Sequence, residues 1–297
     1  METLQFLFHY HTCQVVTQIF TNLRMATKTE QATYSHGHHA SVVTDHARRG
    51  AADSAGFLIP HIKPTFNILD VGCGPGSITA DLAELVPQGH ITGVDAVSSV
   101  LNQARENAAS RGLTNIEFQH LDANSLPFAD NTFDIVFCHQ VLQHVGSPVT
   151  VLSEMRRVAK VDGIVAAREA DYCAFAWYPE PPLIDHWRAL YVAVARANGG
   201  EPNAGRYLHV WARKAGFKPE EIEATWDCWR YSGERAKQFS ESHGGRILQP
   251  SFLNTALRES LATEDEVKQI SQAWFEWGVQ EDAFIGIPHG QILCRKG

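Results

Sequence analysis

The chain has 297 residues, of which 44% are hydrophobic, and its formal net charge is −8 at pH 7. Its length and composition suffice for one large α/β domain with a sizeable core. The acidic balance argues against a nucleic-acid-binding protein, because a phosphate backbone requires a basic surface. No run of Lys and Arg is longer than two residues, so we expect a small-molecule partner and no nucleic acid.

The N-terminal residues and the cysteines bear on location. The first 24 residues hold one base and one acid and lack the features of a signal peptide. We interpret residues 1–33 as a poorly ordered extension, with Met25 as an alternative start. The six cysteines form no C-x-x-C pair, which indicates free thiols in a reducing compartment. No apolar run reaches the ~18 residues of a membrane span, so the sequence predicts a cytoplasmic protein and leaves its oligomeric state open.

A glycine-rich turn follows the first predicted strand, at 66–71, and precedes a helix predicted over 76–86. In "ILDVGCGPG" three glycines, Gly72, Gly74 and Gly76, stand within five positions. Glycine permits positive φ and the close approach of a ligand. The third glycine comes one position earlier than in the dinucleotide fingerprint. Asp70 would repel a pyrophosphate but suits a cationic ligand such as S-adenosylmethionine, which carries an ammonium and a sulfonium group.

Two further strands also end beside acids. The strand predicted over 90–95 ends in Asp95, which is placed to accept hydrogen bonds from ribose hydroxyls. The strand at 115–121 is followed by Asp122 and Ala123, which are placed for the edge of an adenine. Asp95 alone does not distinguish a nicotinamide dinucleotide from S-adenosylmethionine, but three acids at three strand ends form a specific pattern.

The remaining elements alternate between strand and helix as far as residue 169. Helices are predicted over 97–111 and 147–158, and strands over 133–138 and 163–169. Alternation of this kind indicates a parallel sheet with helices on both faces. Beyond it, the largely helical segments 172–216 and 234–279 are separated by a strand at 221–232, and a last strand begins at 284. We expect these helical segments to cap the C-terminal edge of the sheet, where ligands bind in open α/β folds.

The chain resembles class I S-adenosylmethionine-dependent methyltransferases, close to the ubiquinone/menaquinone-biosynthesis type that acts on small molecules. The resemblance spans about residues 34 to 217 and rests on "ILDVGCGPG", "GVD", "LDANSLPFADNTFDIVFCHQVLQHV" and "EMRRVAKVDGIVAARE". It implies a single domain over 34–297 with a Rossmann-like, seven-stranded, mostly parallel sheet of order 3-2-1-4-5-7-6. It also implies S-adenosylmethionine as cofactor and S-adenosylhomocysteine as product.

The resemblance and the strand ends together predict the cofactor site. Tyr34 is expected in a lid over the cofactor, and the family residue at the position of His139 lies against its methionine part. The predicted cofactor residues are Tyr34, Asp70, Gly72, Cys73, Gly74, Asp95, Ala96, Asp122, Ala123, His139 and Gln140.

Methyl transfer requires the nucleophile, the methyl carbon and the sulfur to lie nearly in line, and alignment can supply most of the acceleration. A general base helps only where the acceptor must lose a proton. His144, expected one helical turn after His139 and Gln140, is the candidate base, since histidine titrates near neutrality. A capping or packing role for His144 and a mechanism without a base both stay open.

The acceptor site is predicted from charges and aromatic residues after the fifth strand. Arg168, Glu169 and Asp171 could orient a substrate, and a mutually paired charge cluster is the alternative. Trp177, Tyr178 and Arg206 could line an aromatic acceptor pocket, although aromatic residues at helical spacing more often form a core. The predicted substrate residues are Glu169, Asp171, Trp177 and Arg206. The histidines at positions 36, 38, 39 and 46 lack the arrangement of a metal site, so no metal is predicted.

Three functions are thus weighed. A methyltransferase acting on a small molecule through an O, N, C or S atom is favoured. A protein that binds S-adenosylmethionine without transferring its methyl group, or a non-methylating catalyst that retains the site, is the alternative. An NAD-dependent oxidoreductase is disfavoured by the glycine spacing and by Asp70.

Overall fold

The structure is a computed structural model that describes residues 49–297. The predicted N-terminal extension, Tyr34 and the histidine cluster at 36–46 lie outside the described residues. None of the described helices is long and apolar enough to cross a membrane.

A central sheet of eight strands organises the described residues. The strands are β1 Asn67–Val71, β2 His90–Asp95, β3 Ile116–His120, β4 Phe133–His139, β5 Ala159–Ala170, β6 Ala176–Tyr178, β7 Ile222–Ser232 and β8 Phe284–Arg295. Strands β1 to β5 pair in parallel in the order β3-β2-β1-β4-β5, and β8 runs antiparallel beside β5.

The two edges of β8 explain how the predicted strand order is realised. The short strand β6, which was not predicted, continues the line of β5, with Trp177 opposite Ile285. Strand β7 pairs with the other edge of β8 along its full length. When β6 is counted with β5, β7 is the sixth strand and β8 the seventh. The strands then have the predicted order 3-2-1-4-5-7-6, and the predicted α/β fold is confirmed.

Nine α-helices surround this sheet in the described residues. They are α1 Ala51–Ser54, α2 Ser77–Leu85, α3 Ser98–Ser110, α4 Pro148–Val158, α5 Pro182–Ala197, α6 Leu208–Lys214, α7 Gly233–Arg246, α8 Pro250–Arg258 and α9 Glu264–Gly278. Between residues 66 and 158 the helices and strands agree with the predicted bounds within one residue at each end. Strand β5 begins four residues earlier than predicted, because the exposed turn at Val161 and Asp162 lies inside an irregular strand whose register against β4 shifts.

Two hydrophobic cores cover the faces of the sheet, one beneath α4 and α6 and the other beneath α1 and α2. A third core joins the strand β6 to the helices α5, α7, α8 and α9. We call these five elements together the cap. It is built around Trp187, Trp274 and Trp277, all fully buried. Large aromatic side chains bury 150–250 Å² each, so the cap is a firmly packed unit.

Candidate active site

The turn between β1 and α2 holds three glycines at positive φ, +72° at Gly72, +53° at Gly74 and +75° at Gly76. A Cβ at Gly72 would overlap the side chain of Val141, and one at Gly76 would lie 2.7 Å from the Cβ of Ala104 in α3. A Cβ at Gly74 would meet no described atom within 4 Å. Gly72 and Gly76 therefore serve the packing of the turn, whereas Gly74 leaves room for a ligand against the backbone.

Asp95, the last residue of β2, is bonded to this turn. Its Oδ2 accepts a hydrogen bond from the amide of Gly74 at 2.9 Å, and its Oδ1 accepts one from the amide of Val97 at 2.8 Å. Carboxylate oxygens each have two lone pairs, so a carboxylate can accept several hydrogen bonds at once. Cys73, between the first two glycines, is buried, and burial raises the pKa of its thiol well above the ordinary value.

Asp70 lies beneath the turn rather than in the open cleft. Its carboxylate is 3% exposed, and its Oδ2 accepts a hydrogen bond from Oγ1 of Thr79 in α2 at 2.6 Å. Burial raises the pKa of Asp70 to about 7; the Thr79 bond opposes this rise and the charge of Asp95 adds to it. A cation bound above the turn would favour the ionised carboxylate.

The residues predicted for the ribose and adenine meet at the same sheet edge, because β2 and β3 are parallel neighbours. The carbonyl of the exposed Ala96 lies 2.9 Å from Nε2 of His120, at the end of β3. Asp122 is exposed just beyond β3, and its Oδ1 accepts a hydrogen bond from the amide of Asn124 at 2.9 Å. Ala123, beside it, is half-buried.

The segment after β4 is a short turn and not the predicted helix. Gln140 has φ +55°, and residues Leu142–His144 form a single 3₁₀ turn. Oε1 of Glu169 accepts hydrogen bonds from the amides of Val141 at 2.8 Å and Leu142 at 2.7 Å, and its Oε2 accepts one from Gln143 at 3.2 Å. The Glu169 carboxylate provides the acceptors that these three amides need, so the turn does not have to extend into a helix.

Glu169 was predicted to contact the substrate, and the structure contradicts that role. Its side chain is fully buried, and it anchors the turn after β4 through the three amides. Burial raises the pKa of Glu169 to about 8, although the three amides oppose the rise.

The other predicted substrate residues also have structural partners. Asp171 is fully buried and forms two hydrogen bonds of 2.5 Å with the guanidinium of Arg206, so the paired-charge alternative describes these two residues. Trp177 is 6% exposed and lies in the aromatic core of the cap, 6.3 Å from Trp187 between ring centroids. The cap helices enclose it, and its place in an acceptor pocket stays a prediction.

His144 lies in an electrostatic setting that does not suit a base. It is half-buried, and burial together with the charges of Arg246 and Arg49 lowers its pKa to about 3. The imidazole is neutral at pH 7, but its conjugate acid is too acidic to hold a proton taken from a weakly acidic acceptor. This setting does not favour His144 as the base, and its role stays a prediction that the rate of His144→Ala tests.

A cavity of about 90 Å³ lies where β5 and β7 end and the cap begins. Aromatic side chains from three segments line part of its wall, and charged side chains line much of the rest. Its described lining residues include Arg49, Asp53, Gln140, Tyr172, Phe175, Trp229, Tyr231, Arg235, Phe239, His243 and Arg246. Of the predicted site residues that the structure describes, Gln140 alone is among them.

Sequence reasoning missed His289, which β8 brings next to Gln140. Nε2 of Gln140 lies 2.9 Å from Nε2 of His289, although 149 residues separate them. Oε1 of Gln140 accepts a hydrogen bond from Arg49 at 2.7 Å. The signal in the sequence was the pair His289 and Gln291 inside the otherwise apolar strand "FIGIPHGQILC", since buried polar residues require partners.

Comparison with known proteins agrees with this geometry. Residues 62–215 match the family described as a methyltransferase domain. The uncharacterized methyltransferase C1B3.06c of Schizosaccharomyces pombe is 33% identical over 282 residues, covering 92% of this chain and 99% of that protein. The demethylmenaquinone methyltransferase of Anoxybacillus flavithermus is 40% identical over 129 residues, covering 43% of this chain and 51% of that protein.

A solved structure supports the same conclusion for the fold. The YcgJ protein of Bacillus subtilis superposes with a TM-score of 0.52 at 20% identity, covering 82% of this chain and 98% of that one. Both the family match and the relative of nearly full length confirm the resemblance drawn from the motifs. The chain belongs to the methyltransferase domain family, and it is an enzyme that uses S-adenosylmethionine as its cofactor.

Proposed function

We propose that the enzyme transfers the methyl group of S-adenosylmethionine to a small molecule held in the cavity between the sheet and the cap. The observation that carries this proposal is the cavity itself, about 90 Å³ in volume and lined in part by aromatic side chains. A space of this size admits a small ligand or one ring of a larger one, which supports a small acceptor.

The aromatic side chains in the wall of the cavity favour an acceptor that carries a planar ring. Trp229 and Tyr231 project from β7, Tyr172 and Phe175 follow β5, and Phe239 belongs to α7. Aromatic rings pack best against another ring in offset or edge-to-face contact. The relative from Anoxybacillus flavithermus, named a demethylmenaquinone methyltransferase, supports a ring-bearing acceptor.

The proposed cofactor contacts lie along the sheet edge beside this cavity. The backbone at Gly74 has room for the ligand, the carboxylate of Asp95 accepts from the ribose, and Asp122 and Ala123 face the adenine. Gln140, which lines the cavity, stands between the cofactor and the acceptor. The cofactor supplies the activated methyl group, and these residues hold it in line with the acceptor.

The enzyme would then work by alignment, without a base from His144. With its pKa lowered to about 3, that imidazole contributes no useful proton affinity. An acceptor that ionises in water near neutrality, or one that keeps its proton until after transfer, suits this arrangement. Alignment alone can account for much of the rate.

The experiment is an acceptor screen with purified protein and S-adenosylmethionine, in which S-adenosylhomocysteine is quantified by mass spectrometry. Phenols, quinols, aromatic acids and amines form the panel. We expect product formation that depends on one class of ring compound and that falls sharply in Tyr231→Ala, a substitution in the cavity wall, while the dissociation constant of the cofactor is unchanged. Tight cofactor binding with no product from any acceptor would favour the binding-protein alternative, and methylation of protein or nucleic acid alone would contradict a small-molecule acceptor.

We also propose a cytoplasmic location. The described cysteines are all free thiols, and Cys73, Cys138 and Cys294 are buried. Scattered free thiols are typical of reducing compartments. Cell fractionation followed by immunoblotting tests this, and recovery in a secreted or membrane fraction would contradict it.

A further inference from the structure

We propose that His289 is a positioning residue that fixes the side chain of Gln140 at the wall of the cavity. The inference rests on the proposed function, in which Gln140 stands between the cofactor and the acceptor. His289 belongs to β8, at the far end of the chain from the motifs that bind the cofactor, and its ring is fully buried.

The direction of every hydrogen bond in this group follows from elementary chemistry. A guanidinium can only donate, so the Gln140 atom that lies 2.7 Å from Nη1 of Arg49 is its amide oxygen. The amide nitrogen of Gln140 therefore faces His289, and it can only donate. Nε2 of His289 must accept that bond, which places the ring proton on Nδ1. Nδ1 lies 2.8 Å from the carbonyl of Ile287 and donates to it.

The surroundings of His289 favour the same neutral ring. The Trp229 ring centroid lies 4.3 Å from that of His289, and the His139 ring stacks against the His289 ring with 6.4 Å between their centroids. Burial, followed by the charges of Arg168 and Arg49, lowers the pKa of His289 well below its ordinary value, while its bond to the Ile287 carbonyl opposes the shift. The imidazole is thus held as a hydrogen-bond acceptor toward Gln140 across the neutral pH range.

Gln140 has a particular need for such support. Its φ of +55° lies in the left-handed region that residues other than glycine seldom adopt. Its amide donates to the carbonyl of Arg168 at 2.8 Å, and its side chain is bonded at both ends, to Arg49 and to His289. Removing the acceptor at position 289 would leave a donor of Gln140 without its partner and free the side chain to rotate away from the cavity wall.

Two conservative replacements separate this role from a purely structural one. His289→Gln places an oxygen near the former Nε2 and can still accept from Gln140. His289→Asn places its amide near the former Nδ1, so it keeps the donor to Ile287 but loses the acceptor. The probe is S-adenosylhomocysteine, with its dissociation constant measured by calorimetry. We expect His289→Gln to bind within about twofold of wild type, and His289→Asn to bind about fivefold to thirtyfold more weakly.

The opposite ranking would overturn the proposal, because it would mean that only the bond to Ile287 matters. Equal affinities for the two variants would also overturn it. In a Gln140→Met background the difference between Gln and Asn at position 289 should vanish, since no donor remains to be held. The control is the same pair of replacements at His209, which is exposed in α6. Neither should change the dissociation constant of S-adenosylhomocysteine.

A measurement on the wild-type protein decides the matter if His289→Asn does not fold. Nitrogen-15 spectra of the histidine rings should show His289 neutral, with its proton on Nδ1, from pH 6 to 8. A proton on Nε2 or a charged ring would overturn the proposal. Wild-type protein that binds neither S-adenosylmethionine nor S-adenosylhomocysteine would instead contradict the proposed function. If the wild type binds and His289→Gln and His289→Asn have equal dissociation constants, only the role of His289 is contradicted.

Discussion

The amide of Gly74 donates a hydrogen bond to Oδ2 of Asp95 at 2.9 Å, which ties the glycine turn to the end of β2. Two residues predicted to bind different parts of the cofactor are thus one structural unit. Their substitutions should not act independently, because residues in direct contact couple.

Asp95→Ala should weaken S-adenosylmethionine binding about ten- to hundredfold. The change removes a charged acceptor for the ribose and for the Gly74 amide, and hydrogen bonds to charged groups contribute roughly 1.5–3 kcal/mol. Calorimetry measures the dissociation constant. Asp95→Asn, which keeps one acceptor oxygen, should bind with an affinity between those of the wild type and of Asp95→Ala. An unchanged dissociation constant would remove Asp95 from the site. Combined with Gly74→Ala, the loss should be less than additive.

Gly74→Ala has a close internal control in Gly112→Ala. Both glycines have positive φ, +53° and +68°, and a Cβ at either position would meet no described atom within 4 Å. The backbone strain should therefore be similar, about 1–2 kcal/mol of unfolding free energy for each variant. Only Gly74→Ala should lose cofactor affinity, because only that methyl group would intrude on the ligand. If both variants bind equally well, the glycine at 74 serves the turn alone.

Binding of a cationic ligand at pH 7 should release protons from Asp70. Its folded pKa is raised to about 7, so about half of the free protein holds a proton there. A cation lowers that pKa, and the proton leaves on binding. Calorimetry of S-adenosylmethionine binding in buffers of different ionisation enthalpy gives the number released. The release should disappear at pH 9, where Asp70 is already ionised, and in Asp70→Asn; proton uptake would contradict the assignment.

The same raised pKa has a consequence for stability. In the unfolded chain Asp70 ionises near 3.8, and in the fold near 7. The folded state therefore binds the proton more tightly, and the stability that this provides is lost as the pH rises from about 4 through about 7. The free energy of unfolding of the cofactor-free wild type should fall more steeply over this range than that of Asp70→Asn. Parallel curves would show that the pKa of Asp70 is not raised.

Trp177→Ala should destabilise the protein without weakening cofactor binding. Its ring packs against Trp187 and Trp274 in the cap, and truncating a buried Trp costs about 3–5 kcal/mol. Denaturant unfolding measures the loss. Tyr178→Ala is the neighbouring control, because that side chain is 59% exposed and should matter little. Reduced affinity for a ligand at unchanged stability would restore Trp177 to the site.

His144→Ala should leave turnover of the acceptor found in the screen within a few-fold of wild type. Removing a working general base would instead lower turnover by about 10²–10⁴-fold. The rate should be measured from pH 6 to 9 at saturating acceptor. A large loss that shrinks at alkaline pH would show that His144 takes a proton after all.

The sequence was a good guide where structure depends on neighbours along the chain. The strand before Gly72 and the helix after Gly76 have the predicted bounds within one residue, because apolar spacing and glycine conformation are local properties. The acids Asp95 and Asp122 stand at strand ends, as their positions predicted.

The prediction failed where distant segments meet. Glu169 anchors the turn at 141–143 because β5 lies beside β4, and nothing local distinguishes that role from substrate binding. The sequence also did not show that α5 and α9 pack over Trp177, because that packing is a property of the tertiary fold. His289 was missed for the same reason, since only the antiparallel pairing of β8 with β5 brings it to Gln140.

The placement of the cavity along the chain has an evolutionary consequence. The described residues proposed to hold the cofactor all precede Val141, whereas most of the cavity wall comes from after Glu169, in Ala170, Tyr172, Phe175, β7 and α7. Under the proposed function, substitutions in these wall residues would alter which molecule is methylated and leave the fit to the methyl donor intact, unless they disturb the bond between His289 and Gln140. Donor recognition can thus be inherited unchanged while acceptor preference diverges. Gln140 is bonded to both the first and the last parts of the described chain, so substitutions in either part must preserve its two hydrogen bonds.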